Sequence, residues 1–319
     1  MSHYAPRKLQ SSSHLRRGKG HDRTTAGHGI VSSMTSQVLV IGSANADLVV
    51  PVDRRPGGGE TVLGGDTILS PGGKGANTAV AAARLGADVA LLGAVGDDPY
   101  GELLKRSLAE SGVDTGSLRT SERPTGIAYI TVTPDGENSI LVSPGANSAL
   151  RPEDVDLDGA EVVVLSLEIP LETVEHAVAK AVESGVKTLL NLSPAAELSA
   201  ETLRGLDVLL VNEHEAAFLL GGEADFPKLL DLGPKAAVVT LGAKGAAVVT
   251  SDGVTEVPSP KVEAVDTTGA GDAFAGALAT SLAKGEKLAD AARRAVKVAA
   301  ITVTRQGAQP SYPTASELE

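Results

Sequence analysis

"EVVVLSLEIPLETVEHAVAKAVESGVKTLLNLS", residues 161–193, carries the pattern that decides the fold. An apolar, β-branched run (161–168) gives way to an amphipathic stretch (171–184) and then to a second apolar run (187–193). Runs that are apolar at nearly every position belong to strands covered on both faces, and a helix between two such strands lets them lie parallel. The alternation continues outward on either side. Strand-like runs stand at 37–43, 88–96, 206–213 and 236–242, and helical patterns at 75–86, 100–112, 213–221, 270–284 and about 287–305. The expected class is α/β, a doubly wound, mostly parallel sheet with helices on both faces.

Two segments break the alternation. Residues 48–69 have strand-like halves around a Pro/Gly-rich turn, and residues 127–143 alternate on either side of a Pro-Asp-Gly turn. They read either as surface hairpins or as a small β-sheet lid over the ends of the main strands. A lid excludes water and completes a site only when substrate is present.

Composition narrows the function classes. The chain has 319 residues and no cysteine, which excludes disulfides, thiolate zinc sites and cysteine nucleophiles and fits a reducing cytoplasm. No apolar run approaches the ~18 residues that span a bilayer, so a soluble protein without a membrane partner is expected. The net charge of −12 argues against nucleic acid as a partner. Residues 1–36 carry Arg7, Lys8, Arg16, Arg17, Lys19 and Arg23 against Asp22 alone, so the remainder holds 22 basic and 39 acidic residues, a net of −17. This segment reads as a disordered basic extension preceding a domain over 37–319. It has no apolar core of a secretory signal; a transit peptide, or a start at Met34, are the other readings.

"AVDTTGAGDAFAGAL" (264–278) asks why side chains are stripped away beside a lone acid. Gly269, Ala270 and Gly271 fall just before a helix start, where small residues let backbone N–H groups approach an anion and the helix terminus adds positive potential. Asp272 would sit in the first helical turn, facing the same spot. A carboxylate beside an anion hole suits removal of a proton from a hydroxyl while the hole holds charge on a phosphoryl group. The same residues also suit a plain glycine turn with a capping acid. A Walker-type phosphate loop is absent, because Gly73-Lys74 is followed by Gly75 and Gly18-Lys19 by Gly20.

Other polar residues stand where strands end. Asn45 and Asp47, in "GSANAD" (42–47) at the carboxyl end of the first strand, are two apart and would point to one side, where they could grip vicinal hydroxyls or simply form a turn. "SPGGKGANTAV" (70–80) places Gly73, Lys74, Gly75 and Asn77 at a helix start. Glu168 follows an apolar strand, a costly place for a charge without a partner. Asn212 and Glu215 share a face of a helix start, suited to a hydrated Mg²⁺ or to helix capping. Thr240, Leu241, Gly242, Ala243, Lys244 and Gly245 form a strand-end turn that could lie along a nucleotide or belong to a hairpin.

Taken in this order, the motifs "GSANAD", "PGGKGANTAVAAARLGA", "VGDDPYG", "DGENSILVSPGAN", "NEHEA", "DTTGAGDAFAGAL" and "VTRQGAQPSYP" resemble the ribokinase-like sugar and nucleoside kinase family over about residues 37–313. The resemblance implies ATP-dependent phosphorylation of D-ribose at its 5-hydroxyl, with Asp272 as the base and Gly269, Ala270 and Gly271 as the anion hole. It implies sugar contacts from Asn45, Asp47, Gly73, Lys74, Gly75, Asn77, Glu168 and Asp272. Asn191, Asn212, Glu215, Gly271 and the turn from Thr240 to Gly245 fall where the family binds ATP and Mg²⁺. A monovalent cation, K⁺, is implied beside Asp266, Thr268, Thr302, Arg305, Gly307 and Ser311, several through backbone carbonyls. The family also suggests a homodimer in which two lids meet.

The chain departs from the family at Val296, where His or Asn is common near the adenine, and at Leu192 and Ser193, where Pro and Ala are common. Another acceptor (a nucleoside, fructose, a sugar phosphate or a keto-deoxy sugar acid) and a non-catalytic sugar sensor remain as alternatives. There is no Trp, and Tyr129 is the one aromatic of the expected lid strands, which leaves little for stacking a nucleobase. A sensor could dispense with the base or the anion hole, and this chain keeps the residues for both.

Overall fold

The computed structural model describes residues 37–157, 159–222 and 225–318. The basic extension over 1–36 lies outside them. The strands are β1 (Val38–Ile41), β2 (Asn45–Pro51), β3 (Ile68–Gly72), β4 (Val89–Leu92), β5 (Ala94–Gly96), β6 (Arg119–Ser121) and β7 (Gly126–Val132), followed by β8 (Asn138–Ser143), β9 (Val162–Leu165), β10 (Lys187–Asn191), β11 (Val208–Asn212), β12 (Ala237–Thr240), β13 (Gly245–Thr250) and β14 (Gly253–Pro258). The helices are α1 (Lys74–Arg84), α2 (Pro99–Glu110), α3 (Leu171–Ser184), α4 (Ala200–Arg204), α5 (Glu213–Leu219), α6 (Ala270–Ala283) and α7 (Leu288–Thr302).

The stretch 161–193 forms β9, α3 and β10, with β9 and β10 parallel and Val162 opposite Lys187. The main sheet runs β14-β13-β12-β11-β10-β9-β1-β4, parallel from β12 to β4. Its central strands β1, β4 and β9 are wholly apolar and buried because each face has its own helical cover, whereas the edge strand β14 is largely exposed. Val38, Val40, Val162, Val164, Leu189 and Leu210 pack with α1, α6 and α7, whereas Leu39, Ile41, Val163, Leu165, Leu190 and Leu209 pack with α3. Strand order reverses at β1, between β9 and β4, and such a reversal opens a crevice beyond the carboxyl ends of the strands.

A second sheet, β3-β2-β7-β8, stands apart from the main one. Its β2–β3 and β7–β8 pairs are the two hairpins expected at 48–69 and 127–143, joined by a parallel β2–β7 pair. It leaves Ile68, Leu69, Tyr129, Ile140, Leu141 and Val142 exposed. Among the described residues, no helix is long and apolar enough to cross a membrane.

Two sequence expectations need correction, and one open choice is resolved. The run 88–96 is not one strand: it breaks at Gly93 into β4, in the main sheet, and β5, which pairs with β6 in a separate two-stranded sheet. A Cβ at Gly93 would stand 2.8 Å from the Gly42 carbonyl oxygen, a long-range crowding invisible to local pattern. Of the two readings of the turn 240–245, the hairpin is the one seen: the chain leads back through β13 and β14, which extend the sheet antiparallel. Finally, Asn45 and Asp47 do not end the first strand; they sit two residues apart on one face of β2, in the second sheet.

Close packing of α6 on α1 makes the site possible. A Cβ at Gly276 would meet the Thr78 carbonyl oxygen at 2.7 Å and the Ala81 side chain at 2.9 Å. With glycine there, the two helices approach closely enough for Asn77 of α1 to reach Asp272 of α6.

Candidate active site

Asp272 lies in the first turn of α6, 7% exposed, and accepts a hydrogen bond from Asn77 Nδ2 at 2.9 Å. Burial pushes its carboxyl up to about 6. The Lys74 charge and the Asn77 amide pull the other way, and the Glu168 charge adds to the rise. The helix is entered through Gly269, which is left-handed at φ 72°. A Cβ there would stand 2.4 Å from Tyr312 Oη and 2.8 Å from Ala308 Cβ, whereas a Cβ at Gly271 would meet nothing within 4 Å. The helix terminus is thus crowded behind Gly269 and open in front of Gly271.

That open side faces a cleft of about 210 Å³ lined by Lys74, Asn191, Ser193, Asn212, Glu215, Thr240, Gly269, Gly271 and Asp272. Asn212 and Glu215 form a reciprocal cap at the start of α5: Asn212 N donates to Glu215 Oε2 and Glu215 N to Asn212 Oδ1, both at 2.8 Å. The capping reading of this pair therefore holds. The cap does not exhaust the Glu215 carboxylate, which has acceptor capacity for water. Burial raises the Glu215 carboxyl, opposed by the Asn212 N–H, the Ser193 hydroxyl and the Lys74 charge.

A second group of polar residues gathers around β2 of the smaller sheet and the end of β9. Glu168 Oε2 accepts from Ser43 Oγ at 2.5 Å, from Lys74 N at 3.3 Å and from Asn45 Nδ2 at 3.4 Å, which answers the cost of its place after β9. Burial pushes the Asp47 carboxyl up to about 7, reinforced by the charges of Glu168 and then Asp272. Three carboxylates therefore converge where the sequence placed hydroxyl contacts, and two of them hold protons more tightly than usual. A group that accepts hydrogen bonds from hydroxyls relieves that crowding without bringing in another charge.

The residues expected to hold a monovalent cation gather behind α6. Asp266 Oδ1 accepts from Thr268 N at 2.9 Å and its Oδ2 from Gly307 N at 2.8 Å, tying the loop before α6 to the loop after α7. Burial works against the Asp266 anion, but these bonds outweigh it and hold the carboxyl below its usual value. Thr302 and Ser311 are buried, and their hydroxyls donate to the Val298 and Ala308 carbonyls; the Arg305 guanidinium reaches Glu317.

Some placements differ from expectation. Gly242, Ala243 and Lys244 are exposed on the β12–β13 turn, where Lys244 Nζ lies 3.9 Å from Glu213, so of that turn only Thr240 lines the cleft. Val296 is buried in the core cluster shared by α6 and α7. The sequence reading also missed Asn147. It is 1% exposed, donates to Asn45 Oδ1 at 2.7 Å and accepts from Ala44 N at 2.9 Å, fixing the residue meant to grip a hydroxyl. It stands in the quoted "PGAN" motif, but no periodicity marks an asparagine in a short 3₁₀ turn.

Residues 35–315 match the model of the pfkB family of carbohydrate kinases. The chain is 40% identical over 298 residues to a ribokinase of Haemophilus influenzae, with 89% of this chain and 97% of the relative covered. It is 38% identical over 292 residues to a deoxyribokinase of Salmonella typhi, with 87% and 95% covered. Its fold superposes on the structure of an Arabidopsis thaliana ribokinase complexed with ribose and ATP at a TM-score of 0.82 and 31% identity, covering 89% of this chain and 97% of that one.

Proposed function

The chain belongs to the pfkB family of carbohydrate kinases, and we propose that it transfers the γ-phosphate of ATP to the 5-hydroxyl of D-ribose with Asp272 as general base. The observation that carries this reading is the pairing of a buried carboxyl, raised to about 6, with the open-faced Gly271 at one helix terminus on the wall of a cleft. The relatives named as ribokinases support ribose as acceptor.

In this reading Asp272 takes the hydroxyl proton as that oxygen attacks the γ-phosphorus, and the bond to the bridging oxygen of the leaving ADP breaks. The backbone N–H groups of Gly269 and Gly271 and the α6 terminus face the charge that develops on the phosphoryl oxygens, whereas the Ala270 N–H, expected to join them, donates to the Thr267 carbonyl at 3.2 Å. Lys74, between the two halves of the site, contributes a positive charge to both. Gly73 and Gly75 bring backbone close to the sugar, and Asn45, Asp47, Asn77 and Glu168 accept from or donate to its hydroxyls. Positioning and charge stabilisation are the main demands of phosphoryl transfer, so no covalent intermediate on the protein is needed.

Mg²⁺ bound with ATP supplies charge neutralisation, and Asn191, Asn212 and Glu215 fit its water shell rather than direct ligation. K⁺ fits the carbonyls around Asp266, Thr268, Thr302, Arg305, Gly307 and Ser311. The exposed apolar side chains of the lid strands, Leu141 at 70% among them, support a homodimer joined lid to lid. Leu141→Glu should then convert a sedimenting dimer into a monomer; a wild-type protein that is monomeric at assay concentration removes the dimer from the proposal.

The test of the function is ATP-dependent phosphorylation of ribose, deoxyribose, fructose, fructose 6-phosphate, adenosine and 2-keto-3-deoxygluconate, with Mg²⁺ and with or without K⁺. Ribose should lead, and K⁺ should stimulate. Deoxyribose is the sharpest comparison, since losing one hydroxyl leaves a buried polar partner unpaired. A different leading acceptor would reassign Asn45 and Asp47, and no turnover on any of them would turn attention to a sensor.

Asp47 should show a trade between function and stability. Its carboxyl is raised in the fold relative to the unfolded chain, from 3.8 to about 7. The native state therefore binds more protons between those values, and stability falls as pH rises through that window. Asp47→Asn removes the effect: the ligand-free variant should melt higher than wild type at pH 7.5 and nearly equal at pH 4, while its KM for ribose rises ~10-fold or more. Melting curves that differ equally at both pH values would contradict the crowding of carboxylates.

A further inference from the structure

A chain of side-chain hydrogen bonds reaches Asp272 from the side away from the cleft. Ser107 Oγ on α2 donates to Gln309 Oε1 at 3.1 Å, Gln309 Nε2 donates to Asn77 Oδ1 at 3.1 Å, and Asn77 Nδ2 donates to Asp272 Oδ2 at 2.9 Å. Gln309 and Asn77 are 3% and 6% exposed. Arg84 Nη1 anchors the backbone here, donating to the Gln309 carbonyl at 2.6 Å and to the Tyr312 carbonyl at 3.1 Å. The four linked side chains come from α2, the C-terminal segment, α1 and α6, so no local pattern announces them.

We infer that Gln309 is a positioning residue for the reaction: it holds the Asn77 amide with its NH₂ end toward Asp272 and so keeps the base ready to accept a proton. This rests on the reading of Asp272 as the base. A primary amide has a donor end and an acceptor end. The donor end toward a carboxylate favours the anion, whereas the carbonyl end toward it favours the protonated acid. With Nδ2 turned to Asp272, Asn77 Oδ1 is left pointing into the interior, and a buried carbonyl without a donor is costly. Gln309 Nε2 is that donor, and Ser107 completes the chain by satisfying Oε1.

The charged and titratable groups around Asp272 do not do this job. Lys74 of α1 favours the Asp272 anion, and Glu168 after β9 opposes it. Asp47 of β2 and Tyr312 of the C-terminal segment also feel the Asp272 charge, and Arg84 stands near Tyr312. Lys74 and Glu168 act on the Asp272 charge itself, and the donor at the far end of the Asn77 amide is Gln309.

Two variants read the inference. Gln309→Met fills similar space with no donor, and Gln309→Glu keeps the shape but presents an acceptor, which turns the Asn77 amide round. The measurement is the pH profile of kcat, together with the melting temperature. The acid limb should move to higher pH by ~0.5–1 unit in Gln309→Met and further in Gln309→Glu, so that the loss at pH 6 exceeds the loss on the plateau. A purely structural role would lower kcat or the melting temperature and leave the limb in place; an unmoved limb in folded Gln309→Glu overturns the inference. Should neither variant fold, Ser107→Ala decides it, since a limb shifted the same way supports the chain and an unshifted one overturns it. Asp272→Asn measured alongside separates the two readings. If it keeps turnover, the base assignment falls and the inference with it; if it is inactive while the Gln309→Glu limb is unmoved, the positioning role alone fails.

Discussion

Asp272→Asn should lower kcat by ~10²–10⁴ with ribose binding largely kept. Asparagine preserves the shape and can still hydrogen-bond Asn77, so the α1–α6 packing that places residue 272 is not disturbed. What it removes is the acceptor of the hydroxyl proton. The wild-type profile carries the same information. A base with its carboxyl near 6 is charged at pH 7.5 and becomes protonated as pH falls, so kcat should decline through about pH 6 on the acid side. The residual activity of Asp272→Asn should lack that limb. Steady-state kinetics at several pH values, with ribose affinity from calorimetry, check both statements. Turnover within a few-fold of wild type, or an acid limb surviving in the variant, would place the base elsewhere.

The parts of this molecule that could be read from sequence are those fixed by short-range chemistry. β9 and β10 announced a parallel sheet because both faces of each strand are buried, which forces apolar residues at successive positions. The β7–β8 hairpin was visible because its Pro-Asp-Gly turn needs Gly136 at φ 82°. The glycines at 269–271 pointed to a backbone approach that Gly271 indeed leaves open. The unread parts depend on neighbours far along the chain. The break at Gly93 answers to Gly42, and Glu168 finds its partners in Ser43, Asn45 and Lys74. Asn147 and Gln309, which hold Asn45 and Asn77, sit in irregular segments where no periodicity marks a buried amide. The turn before β13 suits a ligand loop and a hairpin alike, and only the pairing of β12 with β13 across it makes it the hairpin.

The two glycines at the start of α6 should fail in opposite ways. Gly269→Ala asks an L-residue to adopt φ 72°, at roughly 1–2 kcal/mol, and forces a methyl against Tyr312 Oη and Ala308. Both neighbours are buried, with little room to yield. The variant should melt ~5–10 °C lower and lose activity along with its fold. Gly271→Ala meets neither obstacle: its φ is not positive, and its Cβ touches nothing within 4 Å. Alanine at an early helical position costs nothing in stability and can add to it, so the melting temperature should hold or rise. Its methyl group, however, projects into the cleft where the phosphoryl oxygens would approach the backbone. A displacement of about 1 Å there lowers kcat ~10²-fold. Thermal melts and ATP turnover on the pair separate architecture from chemistry. Gly271→Ala with wild-type turnover would move the phosphoryl group away from this terminus, whatever Asp272 does. Gly269→Ala with a wild-type melting temperature would show that the wall behind the terminus yields, and that the positive φ is not what keeps glycine there.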